Sequence, residues 1–261
     1  MKEVKDSGGG IAAFFDLDGT LVAGPSLERR LFRMLRYRGV IPMKNYSLWL
    51  REAVRLAPRG MCAVRYANKM YLRGVAIRTM DRQASGISFF AAAVERVAWH
   101  AKERHEIMIV SGTLEMLARE AAKQLEAKLE ARELAAEIHV CATRLEERQG
   151  KLTGQVMGAA MYGEAKADAV RRMAEEEGLD LRKCYAYGDS ATDRWMLAAV
   201  GRPVAVNPSK ELLRIARGKN WAMRIWEKRG GEEATWRTQW AHKLHRRRSG
   251  EREVAGLEMG A

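Results

Sequence analysis

Apolar and polar positions along this chain fall into two regimes. Five compact apolar runs, Ile11 to Phe15, Ile107 to Val110, Ile138 to Ala142, Cys184 to Tyr187 and Pro203 to Val206, have the length and bounding turn residues of buried strands. Between the first two runs the spacing changes to that of helices. Leu27, Leu31, Met34 and Leu35 form one stripe with Arg29, Arg30, Arg33 and Arg36 on the other face. Further stripes cover Leu48 to Leu56, Met61 to Leu72 and Phe89 to Val97, punctuated by Gly39 to Pro42, Ala57 to Gly60 and Gly74. After residue 100, strand and helix alternate. A helix is expected from Leu114 to about Ala135, and a hairpin from Arg144 to Val156 turning at Gln149-Gly150. A second helix is expected from Glu164 to Glu177, ended by Gly178, and Pro203 to Val206 reads as the last core strand. Alternation of this kind predicts an α/β fold, a three-layer, Rossmann-like parallel sheet. The helical stretch predicts an inserted helical bundle. The expected division is residues 1–21 and 100–227 as core, 22–99 as helical cap, and 228–261 as a basic C-terminal extension, read as an appended helix with a frayed end.

Three polar clusters follow directly on strand runs: Asp16-Leu17-Asp18-Gly19-Thr20, Ser111-Gly112-Thr113, and Gly188-Asp189-Ser190-Ala191-Thr192-Asp193. Open α/β sheets keep their ligand crevice at the carboxyl ends of strands. Asp16 and Asp18, two apart, share a face of an extended segment, and a turn at Gly19 lets both reach one ligand. With Asp189 they make an all-oxygen pocket of the kind Mg²⁺ prefers. One carboxylate can attack phosphorus while its neighbour exchanges a proton with the leaving alcohol and then with water. Ser111 and the N–H groups after it, Gly112 included, suit phosphate oxygens at a helix start. Lys166 supplies positive charge against the phosphoryl group and the crowded carboxylates. Singly, these motifs are common in turns and caps; their order and local context distinguish them.

In combination they resemble the haloacid dehalogenase superfamily of aspartate-nucleophile phosphohydrolases, and within it the phosphoserine-phosphatase-like branch with a helical cap, over residues 10 to 210. The resemblance implies Asp16 as nucleophile, Asp18 as general acid/base, Ser111, Gly112 and Lys166 as phosphate ligands, and Asp16, Asp18 (through its carbonyl) and Asp189 around Mg²⁺. Thr20 and Asp193 stand in support, Asp193 holding Lys166 or the metal's waters. Two positions depart from phosphoserine phosphatases. Pro25 stands nine residues after Asp16, where they carry a Glu for the substrate's amino group, with Glu28 the nearest acid, and Thr192 stands where they have Asn. Neither position does phosphoryl chemistry, so the expected activity is a Mg²⁺-dependent phosphomonoesterase whose substrate is a small anionic metabolite or a lipid phosphate. A phosphotransferase, or a non-catalytic basic module for anionic lipid or nucleic acid, are the alternatives.

Composition narrows this further. No run approaches the roughly 18 apolar residues of a membrane helix. The first residues, Met1 to Asp6, lack the apolar stretch of a signal peptide. Cys62, Cys141 and Cys184 have no metal-site spacing, and the five histidines form no ligand pattern. A reducing cytoplasm is the expected compartment, with no zinc. Charge is uneven: residues 22–100 hold fifteen Lys and Arg against four Asp and Glu, a net +11 within the chain's +13. That suits a solvated helix face, an anion-attracting lid, or peripheral contact with anionic membrane. Absence of a helix-turn-helix, RNA-binding or zinc motif argues against nucleic acid. The sequence leaves the oligomeric state open.

Overall fold

The computed structural model describes residues 9–81, 86–226 and 234–235. Seven strands form one sheet in the order β3 (Ile138–Thr143), β2 (Glu106–Leu114), β1 (Ala12–Phe15), β6 (Tyr185–Gly188), β7 (Arg202–Val206), β8 (Ala222–Ile225), β9 (Ala234–Thr235). All neighbours are parallel except β8 and β9. The remaining two strands, β4 (Leu145–Arg148) and β5 (Lys151–Val156), form the expected hairpin.

Side chains on a strand alternate between faces, so each central strand feeds two cores. Ala13, Phe15, Ile107, Ile109, Tyr187 and Val206 enter one apolar cluster. Ala12, Phe14, Met108, Val110, Ala186 and Ala205 enter the other. The first is covered by α5 (Ala91–Lys102) and α6 (Glu115–Glu130), the second by α7 (Glu164–Glu177), α8 (Arg194–Ala198) and α9 (Lys210–Gly218). Hence the near-continuous apolar runs at β1 and β2: a strand covered on both faces has no polar side to show. Cys184 sits at the start of this core, its Sγ 3.2 Å from the Ala12 N–H.

Between β1 and β2 lie α1 (Leu27–Tyr37), α2 (Lys44–Leu56), α3 (Met61–Ala67), α4 (Arg78–Asp81) and α5. Leu27, Leu31 and Leu35 of α1, with Tyr71, Leu72 and Val75, belong to the same apolar cluster as Phe15 and Ile107. A separate small cluster joins Leu56, Ala63 and Val64. The hairpin braces this region. Gly74 N donates to the Leu152 carbonyl at 2.7 Å, and Leu152 N donates to the Val75 carbonyl at 2.9 Å. A Cβ on Gly154, whose φ is +81°, would lie 3.1 Å from the Met70 Cα, so the close approach of hairpin and insert depends on glycine there.

Three expectations need correction. The stripe from Met61 to Leu72 is not one helix: α3 ends at Ala67, Asn68 is extended (φ −86°, ψ 101°), and a 3₁₀ turn covers Met70–Leu72. The Asn68 side chain explains the break, since Nδ2 donates to the Trp49 carbonyl and Oδ1 accepts from Met70 N. The strand β2 continues through Ser111 to Leu114, with a register shift against β3, and α6 starts at Glu115. Last, β7 is not the final core strand, because β8 extends the parallel sheet beyond it. Of the expected C-terminal helix, residues 228–261, only Ala234–Thr235 are described, and they pair with β8 as the strand β9 rather than forming helix. The rest of that segment and the first residues, Met1 to Asp6, lie outside the described residues. Among those described, no helix is long and apolar enough to cross a membrane.

Behind β1 and β6, His100 is fully buried, its Nδ1 2.8 Å from His105 Nδ1 and its Nε2 2.9 Å from the Tyr187 hydroxyl. Burial, with His105 and Arg96 nearby, pushes its pKa down to about 3 from 6.5. As pH falls below the unfolded value, only the unfolded chain takes up this proton, so stability is lost progressively between about pH 6.5 and 3. Urea unfolding should therefore show wild type losing about 2 kcal/mol more than His100→Gln between pH 7 and 5. Equal losses in the two proteins would contradict the assignment of a buried neutral imidazole.

Candidate active site

The strands β2, β1 and β6 are adjacent, so the polar segments at their carboxyl ends meet in one crevice. Asp16 follows β1, Ser111 to Thr113 lie near the end of β2 at its register shift against β3, and Asp189 follows β6. Lys166 comes from the first turn of α7. Its Nζ donates to Asp16 Oδ1 and to Asp193 Oδ1, both at 2.6 Å, and all three side chains are nine-tenths or more buried. The other oxygen of Asp193 accepts from Ser190 N and Ser190 Oγ at 3.0 and 2.9 Å. Asp193 thus has both oxygens occupied in holding Lys166 and the 3₁₀ turn Ala191–Asp193.

Electrostatics follow from this crowding. Burial raises the Asp16 carboxyl to about 7, opposed by Lys166 and reinforced by Asp193 and Asp18. Asp189 rises to about 8, from burial first and then from Asp16 and Asp193. Burial alone would lower the Lys166 pKa, but Asp16 and Asp193 outweigh it and raise it. One ammonium among buried carboxylates leaves an excess of negative charge. Carboxylate oxygens of Asp16, Asp189 and Asp193 lie within 4.8 Å of one another. Hard oxygen donors this close fit a divalent cation such as Mg²⁺. Asp193 has both oxygens hydrogen-bonded and Asp16 one, so Asp16 and Asp189 are the side chains that could hold such an ion with least rearrangement.

The carboxylate of Asp18 lies outside that trio. Its Oδ2 accepts from Thr113 Oγ1 at 2.6 Å and its Oδ1 accepts from Leu27 N, the first residue of α1, at 2.8 Å. Burial raises its pKa, while Thr113 and the Leu27 N–H hold it back. A buried carboxyl raised in this way is suited to exchanging a proton with a group entering the crevice. Ser111 is buried in the crevice wall, Gly112 lies beneath the Tyr66 ring, and Thr20 is fully buried with no hydrogen-bond partner for its hydroxyl among the described residues. A Cβ at Gly112 would meet that ring at 2.7 Å, so glycine allows the insert to close over the site.

Above the carboxylates opens a cavity of about 730 Å³. Its floor is Asp16, Asp18, Ser111, Lys166 and Asp189, and its walls include Phe32, Trp49, Met61, Val64, Tyr66 and Tyr162. Tyr66 and Tyr162 stack with centroids 5.0 Å apart. Arg29 and Arg65 also line it. Glu28 faces the cavity too, but its carboxylate is bound by the fully buried Lys69, at 2.6 and 2.7 Å, and by the Tyr71 hydroxyl at 2.9 Å. Sequence reasoning missed Lys69, Tyr66, Tyr162 and Trp49 as parts of the site. No local motif marks them, since tertiary packing alone brings them there.

Residues 13–198 match the model of the haloacid dehalogenase-like hydrolases. A probable phosphatase of Mycobacterium tuberculosis is 31% identical over 224 residues, covering 80% of this chain and 73% of its own. A phosphoserine phosphatase of the same organism is 30% identical over 229 residues, covering 82% and 70%. Among solved structures, a protein of unknown function from Bordetella pertussis superposes with a TM-score of 0.65 at 23% identity, covering 84% of this chain and 99% of that one. A phosphoserine phosphatase described as a phospho-aspartyl intermediate analogue superposes at 0.56 and 21% identity, covering 84% and 94%. The chain belongs to the haloacid dehalogenase-like hydrolases.

Gly19 tests the site's geometry. Its φ is +94°, and a Cβ there would collide with the Asp189 carboxylate. Gly19→Ala should lower stability by about 1–3 kcal/mol in denaturant unfolding and displace Asp189, raising the Mg²⁺ concentration needed for half-maximal activity at least about tenfold. An unchanged Mg²⁺ requirement would show that Asp189 does not depend on this close approach.

Proposed function

We propose that this phosphoric monoester hydrolase works through an aspartyl-phosphate on Asp16, with Mg²⁺ held by Asp16, Asp189 and the carbonyl of Asp18. The observation that carries the reading is the convergence of Asp16, Asp18, Asp189 and Lys166 at the ends of three adjacent strands. Asp16 attacks phosphorus: an O–P bond forms to its carboxylate and the ester P–O bond breaks. Protonated Asp18 gives its proton to the departing alcohol oxygen. Water then attacks the same phosphorus, Asp18 takes its proton, the acyl-phosphate P–O bond breaks, and phosphate leaves. Lys166 orients Asp16 and, with Ser111 and the Gly112 N–H, holds phosphoryl oxygens. When bound, the cation screens the nucleophile from the phosphate's charge.

The leaving group is bulky and apolar, and its phosphate is drawn in by arginines. Glu28, the acid nearest the expected ammonium pocket, is already neutralised by Lys69 and hydrogen-bonded by Tyr71. Phe32, Trp49, Met61, Val64, Tyr66 and Tyr162 line the wall with Arg29 and Arg65, beside the small polar residues Ser26, Asn68, Ser190, Thr192 and Ser209. That lining suits an apolar alcohol better than an amino acid, since a second ammonium beside the Lys69–Glu28 pair would find no free carboxylate.

With Mg²⁺ the protein should hydrolyse an aryl phosphate, lose the activity in excess EDTA and regain it on adding Mg²⁺. Asp16→Asn should lower kcat at least about a thousandfold without loss of fold, because an amide cannot form the acyl phosphate. Residual activity within tenfold of wild type would contradict the mechanism. The aryl phosphate should exceed phosphoserine in kcat/KM by at least about tenfold; the reverse order would overturn the reading of the cavity wall.

A further inference from the structure

The helix α2 carries apolar residues on its solvent side. Leu50 and Val54, one turn apart, are 61% and 68% exposed, and Met43, on the same face two turns before Leu50, is 81% exposed. Beside that stripe runs a basic one: Lys44, Arg51 and Arg55 are exposed, and Arg59 and Arg65 continue it across the turn into α3. Glu52 is the only acid on α2, and it pairs with Arg55. Apolar residues flanked by Lys and Arg on one exposed face are what an interfacial helix presents to an anionic bilayer. Scattered apolar side chains need no explanation, but a stripe of them does.

The stripe also leads somewhere. Trp49, on α2 beside Leu50, and Met61, at the start of α3, are 39% and 76% exposed and also line the cavity above Asp16. Surface and cavity therefore share a wall. Val64 and Phe32 continue the apolar lining inward, and Arg65, exposed at the rim, is also in the lining. An acyl chain could stay against apolar side chains from the bilayer surface to the crevice while its phosphate moved past arginine toward Lys166.

We infer that the α2–α3 face docks on anionic lipid bilayer, and that the cavity takes a lipid phosphomonoester from it. The docking stands on the surface itself; the turnover rests on the phosphatase reading above.

The test uses the full chain with vesicles of phosphatidylcholine alone, or of phosphatidylcholine with phosphatidylglycerol, in a sedimentation assay. Wild type should bind the anionic vesicles, bind the neutral ones weakly, and bind less at high salt. Leu50→Glu/Val54→Glu should weaken vesicle binding at least about tenfold, about 1.4 kcal/mol, and lower turnover of an acylglycerol phosphate in those vesicles to match. Its hydrolysis of a soluble aryl phosphate should be unchanged, which also shows that the variant folds. Wild type failing to bind anionic vesicles, or the variant binding as well as wild type, would overturn the inference. So would a stable dimer in solution that the double substitution dissolves, since the face would then belong to a second copy of the chain. If wild type binds as expected but hydrolyses no phosphomonoester with Mg²⁺, the docking stands and the phosphatase reading fails.

Discussion

The buried ammonium of Lys166, bonded to Asp16 and Asp193, is the contact on which the site depends. Such a group has a high desolvation cost, and only close opposite charge offsets it. Asp16 arrives on β1, Asp193 after β6, and Lys166 on α7, so one ion cluster ties together three segments far apart in sequence. The same cluster keeps Asp16 aimed into the crevice. It does not neutralise the site, because Asp189 and Asp18 add carboxyl groups that a single ammonium cannot balance. That imbalance suits a divalent cation, whereas the Asp18 carboxyl is raised chiefly by its burial.

The helical insert is joined to the chemistry at named points. Asp18 accepts from the first N–H of α1, so the carboxyl proposed as general acid and the entry to the insert share a hydrogen bond. Tyr66 of α3 lies over Gly112 and stacks on Tyr162, closing one side of the cavity. At the far side, hydrogen bonds between Gly74, Val75 and Leu152 fasten the insert to the hairpin. Movement of the insert relative to the sheet would have to break or carry these contacts, and each lies within or beside the cavity wall or the brace.

Much of this was legible in the chain because strand ends carry their chemistry locally. Apolar runs followed by Asp16, Ser111 and Asp189 located the crevice, and Gly178 located the end of α7. Other features had no local signal. β8 is only four residues, Ala222–Ile225, and its pattern is broken by Arg224. The break at Asn68 depends on a side-chain bond to Trp49, nineteen residues away. Lys69 looked like another solvated cation of a basic segment, yet it is fully buried, and only the fold reveals that Glu28 is its partner. For Asp193, expected to hold Lys166 or the metal's waters, the fold shows the bond to Lys166 and adds one to Ser190.

The central claim is that the carboxylate of Asp16 becomes covalently phosphorylated. It is tested most directly by mixing the Asp18→Asn protein with Mg²⁺ and an aryl phosphate, quenching in acid, reducing with borohydride and sequencing the peptides by mass spectrometry. An acyl phosphate is reduced to the alcohol, so the account predicts homoserine in place of Asp16, at that position alone and only when substrate was present. Unmodified Asp16 under conditions where the wild-type protein turns over, or homoserine at Asp189 or Asp193 instead, would contradict it.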